Sequence, residues 1–442
     1  MALGRRELIE SGGATFLVGL AGCSFRASSD RDRSLTPGPT PTPTPAPARL
    51  DYDIGLRNDH VRVTLRLADF GGYDRVTVGL SSDHRVSATD GFEPRGEHRY
   101  RATRSGDSPS LTYRIFAGKT ELGRVWIGDG WAVTFPATIR AESTSVPAET
   151  RIGLPESGTI IDGNPIILLG RYGTKTASAH TGETFTVFAA GRPDSYAKAL
   201  LPVLTRSSEL LQWTNYRDAV RHVIIPTAGR ESDSSPYGGG NVTIKGAGDP
   251  SDWRFLHVLV HEYLHLREPP GTGAMDWINE AVPEYYSALL LHEQGAVDER
   301  RFRRFVTPRI DEEVALTEAA GDRYRYRYTK GRRVLAALDG KIRRRTGGEH
   351  TLQQVFARVV AGGGSDLPSF ERITADVAGH SFDSWIERYV TTTATPDVPN
   401  VDMSMLPAGP SSDVDDDGLP KRVELDRGTS PLLPNDGEPT ES

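Results

Sequence analysis

His261, Glu262 and His265 stand together as H-E-Y-L-H inside a largely apolar run from residue 253 to 267. Four residues advance an α-helix by about 400°, so the two imidazoles leave on one face, about 6 Å apart along the axis. Two neutral ring nitrogens placed that way can each reach one Zn²⁺ at about 2.0–2.1 Å. Glu262 leans toward the open coordination position, where it can take a proton from water. Phe255, Leu256, Val258, Leu259, Val260, Leu264 and Leu266 surround these groups, which reads as a buried helix. Ionisable side chains inside such a helix carry a desolvation cost and need a reason to be there. The alternative is a core helix with satisfied histidines, and a third ligand downstream decides between the two.

Pro269-Pro270-Gly271 ends this helix, and Trp277-Ile278-Asn279-Glu280-Ala281 opens another that can fold back against it. Here the residues resemble the gluzincin metallopeptidases (peptidase MA-like), whose second helix carries a W-x-x-E-[GA] signature. The resemblance implies that Glu280 is the third zinc ligand and that Ala281 takes the small position where helices approach closely. Glu284, one turn on, would then accept the other N–H of a ligand histidine. The longer spacing common among gluzincins instead selects Glu284 as the third ligand, so both carboxylates stay in view. His257 shares the face of His261 and reads as a packed or outer histidine.

Tyr328-Thr329-Lys330-Gly331 is similar to the Y-x-K-G element of the aminopeptidase N and glycyl aminopeptidase-like families. That likeness implies that the Tyr328 hydroxyl donates to the oxyanion of a tetrahedral intermediate. Tyr324 and Tyr326 precede it in an arginine-interleaved run that reads as solvated surface, as do the basic runs at 300–304 and 343–345. Aminopeptidase N relatives also carry a G-x-M-E-N edge strand whose Glu binds the substrate amine. The comparable place here holds Gly239, Gly240 and Asn241 without that Glu. Its glycines still let a peptide lie close and pair as an added strand, which leaves aminopeptidase and endopeptidase action both open.

These residues need a scaffold, and the remaining sequence supplies one. Strict alternation at 61–67 and shorter runs at 76–80, 111–116, 124–127 and 132–139 predict strands. They read as an N-terminal antiparallel β-sandwich over 50–155. Runs at 166–169 and 185–188 are expected to begin a second, mixed sheet. A helix over 195–213, strands at 222–225 and 240–245, and helices from 252 to about 392 follow. The expected fold is therefore α+β, with a thermolysin-like catalytic domain over 156–395 implied by the resemblance.

The chain has 442 residues, a formal net charge of −7 and one cysteine. That charge argues against a nucleic-acid partner held by bulk electrostatics. One cysteine excludes a disulfide framework and any thiolate zinc knuckle. Its place explains it: residues 1–22 resemble a twin-arginine signal around Arg5–Arg6, and Leu20-Ala21-Gly22-Cys23 resembles a lipobox. Cys23 is then the lipid attachment point, and 23–49, rich in Pro and Thr, an extended tether from the membrane. In the acidic tail, 396–442, Asp413, Asp415, Asp417, Leu419 and Glu424 match a twelve-residue Ca²⁺ loop of D-x-D-x-D-G-x₅-E type. The alternative for that tail is a solvated acidic segment.

Together these readings describe a lipid-anchored, zinc-dependent metallopeptidase on the extracytoplasmic face of a membrane, acting on peptide or protein substrates. A structural lipoprotein that keeps the fold without catalysis, and a non-peptidase zinc hydrolase, are the alternatives.

Overall fold

The computed structural model describes residues 46–405, apart from 74, 104–107, 121–122, 162–165, 212, 214–218, 227–234, 238–240, 244–247, 268–270 and 311–312. The expected signal, Cys23, the tether up to residue 45, Gly239, Gly240 and the calcium-type residues Asp413, Asp415, Asp417, Leu419 and Glu424 lie outside the described residues.

Alternation becomes burial along strand His60–Ala68, where Val61, Val63, Leu65 and Leu67 are buried while Arg62 and Arg66 are exposed. It pairs antiparallel with Ala48–Leu56 on one side and Ser110–Phe116 on the other. The N-terminal region departs from the expected antiparallel sandwich in two ways. Ala48–Leu56 also runs parallel to Ala148–Gly153, a pairing that needs a long crossover and leaves no hairpin signal to read. Three sheets, not two, also share the region, and Tyr52, Leu111, Val78 and Ile167 from all three meet in one core.

The strand expected over 132–139 ends at Thr134, because Pro136 opens a helical turn, Pro136–Ile139. Ile166–Gly170 does not begin the next sheet. It pairs antiparallel with Trp131–Thr134 and belongs to the N-terminal set. Its unbroken apolar run has a period-2 explanation. Ile167 and Leu169 point into the first core, whereas Ile166 and Leu168 join Trp131, Ala190 and Ile224 in a cluster shared with the following sheet.

That following sheet has the spatial order Tyr172–Ser178, Thr184–Ala190, Val220–Pro226, Asn241–Thr243, Ser235–Tyr237. Its three inner strands are parallel and its two outer ones antiparallel. Helix α1 (Asp194–Leu210) makes the crossover between the first parallel pair. Helices then dominate: α2 (Trp253–Leu264), α3 (Ile278–Glu293), α4 (Glu299–Val306), α5 (Arg325–Thr346), α6 (Leu352–Arg358), α7 (Leu367–Ala378) and α8 (Asp383–Val390). The chain is thus α+β, sheets first and helices after.

A buried polar network fixes α2 against the sheet. Glu183, fully buried before strand Thr184–Ala190, accepts from the Tyr263 hydroxyl (2.6 Å), Ser208 Oγ (2.7 Å) and Arg267 Nη1 (3.1 Å) on one oxygen. Arg221 Nε reaches its other oxygen at 2.6 Å. A carboxylate without solvent is tolerable only with such partners. Tyr263 is one of the two unspecified residues of H-E-x-x-H, so this network ties the motif helix down from the side opposite its histidines.

Candidate metal centre

Asp252 caps α2 by accepting from the Arg254 backbone N–H at 3.0 Å. Phe255, Leu256, Leu259, Val260, Tyr263 and Leu264 bury its apolar faces, leaving His257, His261 and His265 on one side. The His261 and His265 ring centroids are 4.9 Å apart. The connection to α3 is clamped by Asn279, which accepts from the Gly271 N–H at 2.9 Å and donates to the Gly271 carbonyl at 3.2 Å and to Asp276 Oδ1 at 3.1 Å. Glu280, 2 % exposed, therefore enters in the first turn of α3, where the helix dipole favours a carboxylate.

Glu280 Oε2 lies 3.6 Å from His261 Nε2 and 3.6 Å from His265 Nε2. Donor atoms around a tetrahedral ion at about 2.0–2.1 Å stand about 3.4 Å apart, so this spacing suits one small cation. Among the described residues, His261, His265 and Glu280 are the only His, Cys, Asp or Glu trio whose donor atoms converge, all within 4.8 Å of one another. Two imidazoles and a carboxylate, all largely buried, are a zinc donor set. Burial on its own raises the pKa of Glu280, but the His261 N–H, the nearby His265 and the Tyr324 hydroxyl outweigh it and bring it down to about 2.

The structure separates the two carboxylates of α3. Glu284 Oε2 sits 3.1 Å from His257 Nε2, and Arg332 Nη1 is 3.6 Å from Glu284 Oε1. Glu284 is thus outside the converging trio, and its partner is His257, not a ligand-type histidine. Burial opposes its ionisation, yet His257, His261 and Arg332 keep its pKa below the ordinary carboxylate value. Glu262 is buried on α2 next to His261. The Tyr328 ring, from α5, stacks on His261 with centroids 5.9 Å apart and 12° between planes.

Three expectations are corrected here. Tyr324 is not on a solvated surface: its hydroxyl donates to Glu280 Oε1 at 2.6 Å. Tyr326 is buried against Val314 and Ala319, and Arg343 is buried beside Asp339, to which its Nε donates at 3.0 Å. Asn241 is not on the edge of its sheet, because Ser235–Tyr237 is the outer strand and Asn241–Thr243 lies inside it. Aromatic–arginine alternation looks solvated in sequence because each residue type tolerates water. Only the fold of α5 over α3 shows which face is covered.

The other two named residues of Y-x-K-G hold α5 in place. Lys330 is fully buried, and its Nζ donates to the carbonyls of Val314 and Thr392 at 2.7 Å each. A Cβ on Gly331 would stand 2.6 Å from the Ala281 Cβ, so the small residues of α3 and α5 meet each other. Gly331→Ala should therefore overpack this crossing by about 1–3 kcal/mol. Urea unfolding reads that loss as a lower midpoint. An unchanged midpoint would show that the crossing has slack.

Neither a protein-family profile nor a curated protein sequence matches the chain. Solved structures do. An aminopeptidase N family protein from Idiomarina loihiensis aligns with a TM-score of 0.54 at 13 % identity, over 79 % of this chain and 77 % of that one. An M1 zinc metallopeptidase from Deinococcus radiodurans aligns at 0.44 and 15 %, over 80 % and 95 %. Aminopeptidase A from Legionella pneumophila aligns at 0.44 and 12 %, over 78 % and 49 %. The likeness to the Idiomarina protein is one of fold.

Proposed function

We propose that the protein is a zinc-dependent metallopeptidase that hydrolyses peptide bonds, carried on a lipid anchor at the extracytoplasmic face of a membrane. The observation that carries the enzymatic reading is the convergence of His261, His265 and Glu280, with Glu262 next to His261 on α2 and Tyr328 over His261. A fold shared with an aminopeptidase N family protein supports it. A zinc ion held by the trio supplies Lewis acidity toward water and a peptide carbonyl. Glu262 takes the proton of the attacking water and returns it to the leaving amine. Tyr328 donates its hydroxyl to the developing oxyanion. The anchor rests on Cys23 and the twin-arginine pattern before it, and a structural Ca²⁺ on the loop 413–424.

The test is zinc per chain together with cleavage of a peptide library carrying free and acetylated N-termini. One zinc per chain, and cleavage that stops on chelation and returns with zinc, are expected. Cleavage confined to free termini assigns an aminopeptidase, and cleavage of both an endopeptidase. Zinc-free protein, or cleavage indifferent to chelator, overturns the reading.

A further inference from the structure

We propose that Tyr324 is a positioning residue that sets how Glu280 meets the metal, an inference that rests on the metal-centre reading above. The two carboxylate oxygens of Glu280 have different neighbours. Oε1 accepts the Tyr324 hydroxyl at 2.6 Å, while Oε2 is equidistant, at 3.6 Å, from His261 Nε2 and His265 Nε2. Turning the carboxylate so that both oxygens face the cation would pull Oε1 away from its present alignment with the tyrosine and weaken that bond. Tyr324 would thereby favour Oε2 as the oxygen of Glu280 offered to a metal held with His261 and His265.

The tyrosine is itself held. The Arg327 guanidinium lies 4.8 Å from its ring centroid, a cation–π distance. Arg327 is fixed in turn by Asp276 Oδ2 at 2.7 Å and by the Ala319 carbonyl at 2.6 Å. Asp276 belongs to the same connection that Asn279 clamps ahead of Glu280. The α2–α3 connection and the start of α5 are thus linked by a run of contacts, Asp276–Arg327–Tyr324–Glu280, that ends beside the two histidines. The Tyr328 ring packs edge-on against Tyr324, with centroids 5.9 Å apart, so the same residue also borders the proposed oxyanion donor.

Tyr324→Phe keeps the ring and its contact with Arg327 and removes only the hydroxyl. Zinc affinity measured by chelator competition should weaken about 10–100-fold, as for other lost outer partners of a metal ligand. The Co²⁺-substituted protein should show weaker visible absorption, because a second carboxylate oxygen raises the coordination number. Unfolding of the metal-free protein gives the control, since a packing role alone would move that midpoint and leave affinity and spectrum alone. If Tyr324→Phe does not fold, Arg327→Met carries the same readouts: it keeps the hydroxyl, frees the ring, and should weaken zinc binding to a lesser degree. A wild type that binds no metal overturns the centre itself. A wild type that binds zinc, with variants matching it in affinity and Co²⁺ spectrum, overturns the role of Tyr324 alone.

Discussion

Glu262→Gln should keep one zinc per chain and lose at least about 10²–10⁴-fold in kcat, the range for removing a general base. The substitution is nearly isosteric, so the helix face that carries His261 and His265 is preserved. What changes is proton affinity: an amide oxygen cannot accept a proton from water and return it. Glu262 is 6 % exposed, so replacing an ionisable group by a neutral amide also lowers a desolvation cost. Unfolding resistance should then hold or rise while turnover falls. This opposition separates a catalytic role from a structural one. If the variant cleaves peptides as fast as the wild type, Glu262 is not the base, and the mechanism must draw its proton acceptor from elsewhere.

The second large effect distinguishes the two carboxylates of α3. Glu280→Ala removes one of three converging donors and should weaken zinc binding by more than about 100-fold, beyond the loss of an outer partner. Glu284→Ala should leave zinc in place but remove the carboxylate that faces Arg332 and His257. Breaking a buried pair costs about 3–5 kcal/mol, and the 3.6 Å approach of Arg332 Nη1 to Glu284 Oε1 puts this one at the lower end. Metal content by elemental analysis and stability by urea unfolding should thus respond in opposite order in the two variants. Zinc lost only from the Glu284 variant would sink the assignment of Glu280.

What the sequence could reveal followed from distance along the chain. His261, Glu262 and His265 are neighbours on one helix, so spacing alone sets their relative directions. The small residue after Glu280 pointed to a close helix contact, and Gly331 of α5 meets it there. The contacts of Tyr324 and Glu183 were illegible in the sequence for a common reason. Each acts on a residue far away in sequence, and no local pattern marks a tyrosine that reaches across forty-four positions to a carboxylate. The strand Ile166–Gly170 shows the same limit. Its apolar run announced burial on both faces but not which sheets would cover it. The parallel pairing of Ala48–Leu56 with Ala148–Gly153 lacked a turn signature because parallel neighbours share no turn.

The meeting of Gly331 with Ala281 bears on more than packing. Tyr324 and Tyr328 carry the same phenol one helical turn apart, and their proposed duties differ: one steadies a ligand, the other serves the reaction. A slide of α5 along its own axis by a single turn would put Tyr328 against Glu280 and Arg332 over His261, leaving no phenol in the second place. Two chemically identical groups cannot distinguish these alignments by themselves. The glycine does, because a side chain in its place would collide with Ala281, and the buried Lys330 beside it latches the setting through two carbonyls. Gly331 acts as the keyway that decides which tyrosine does which job.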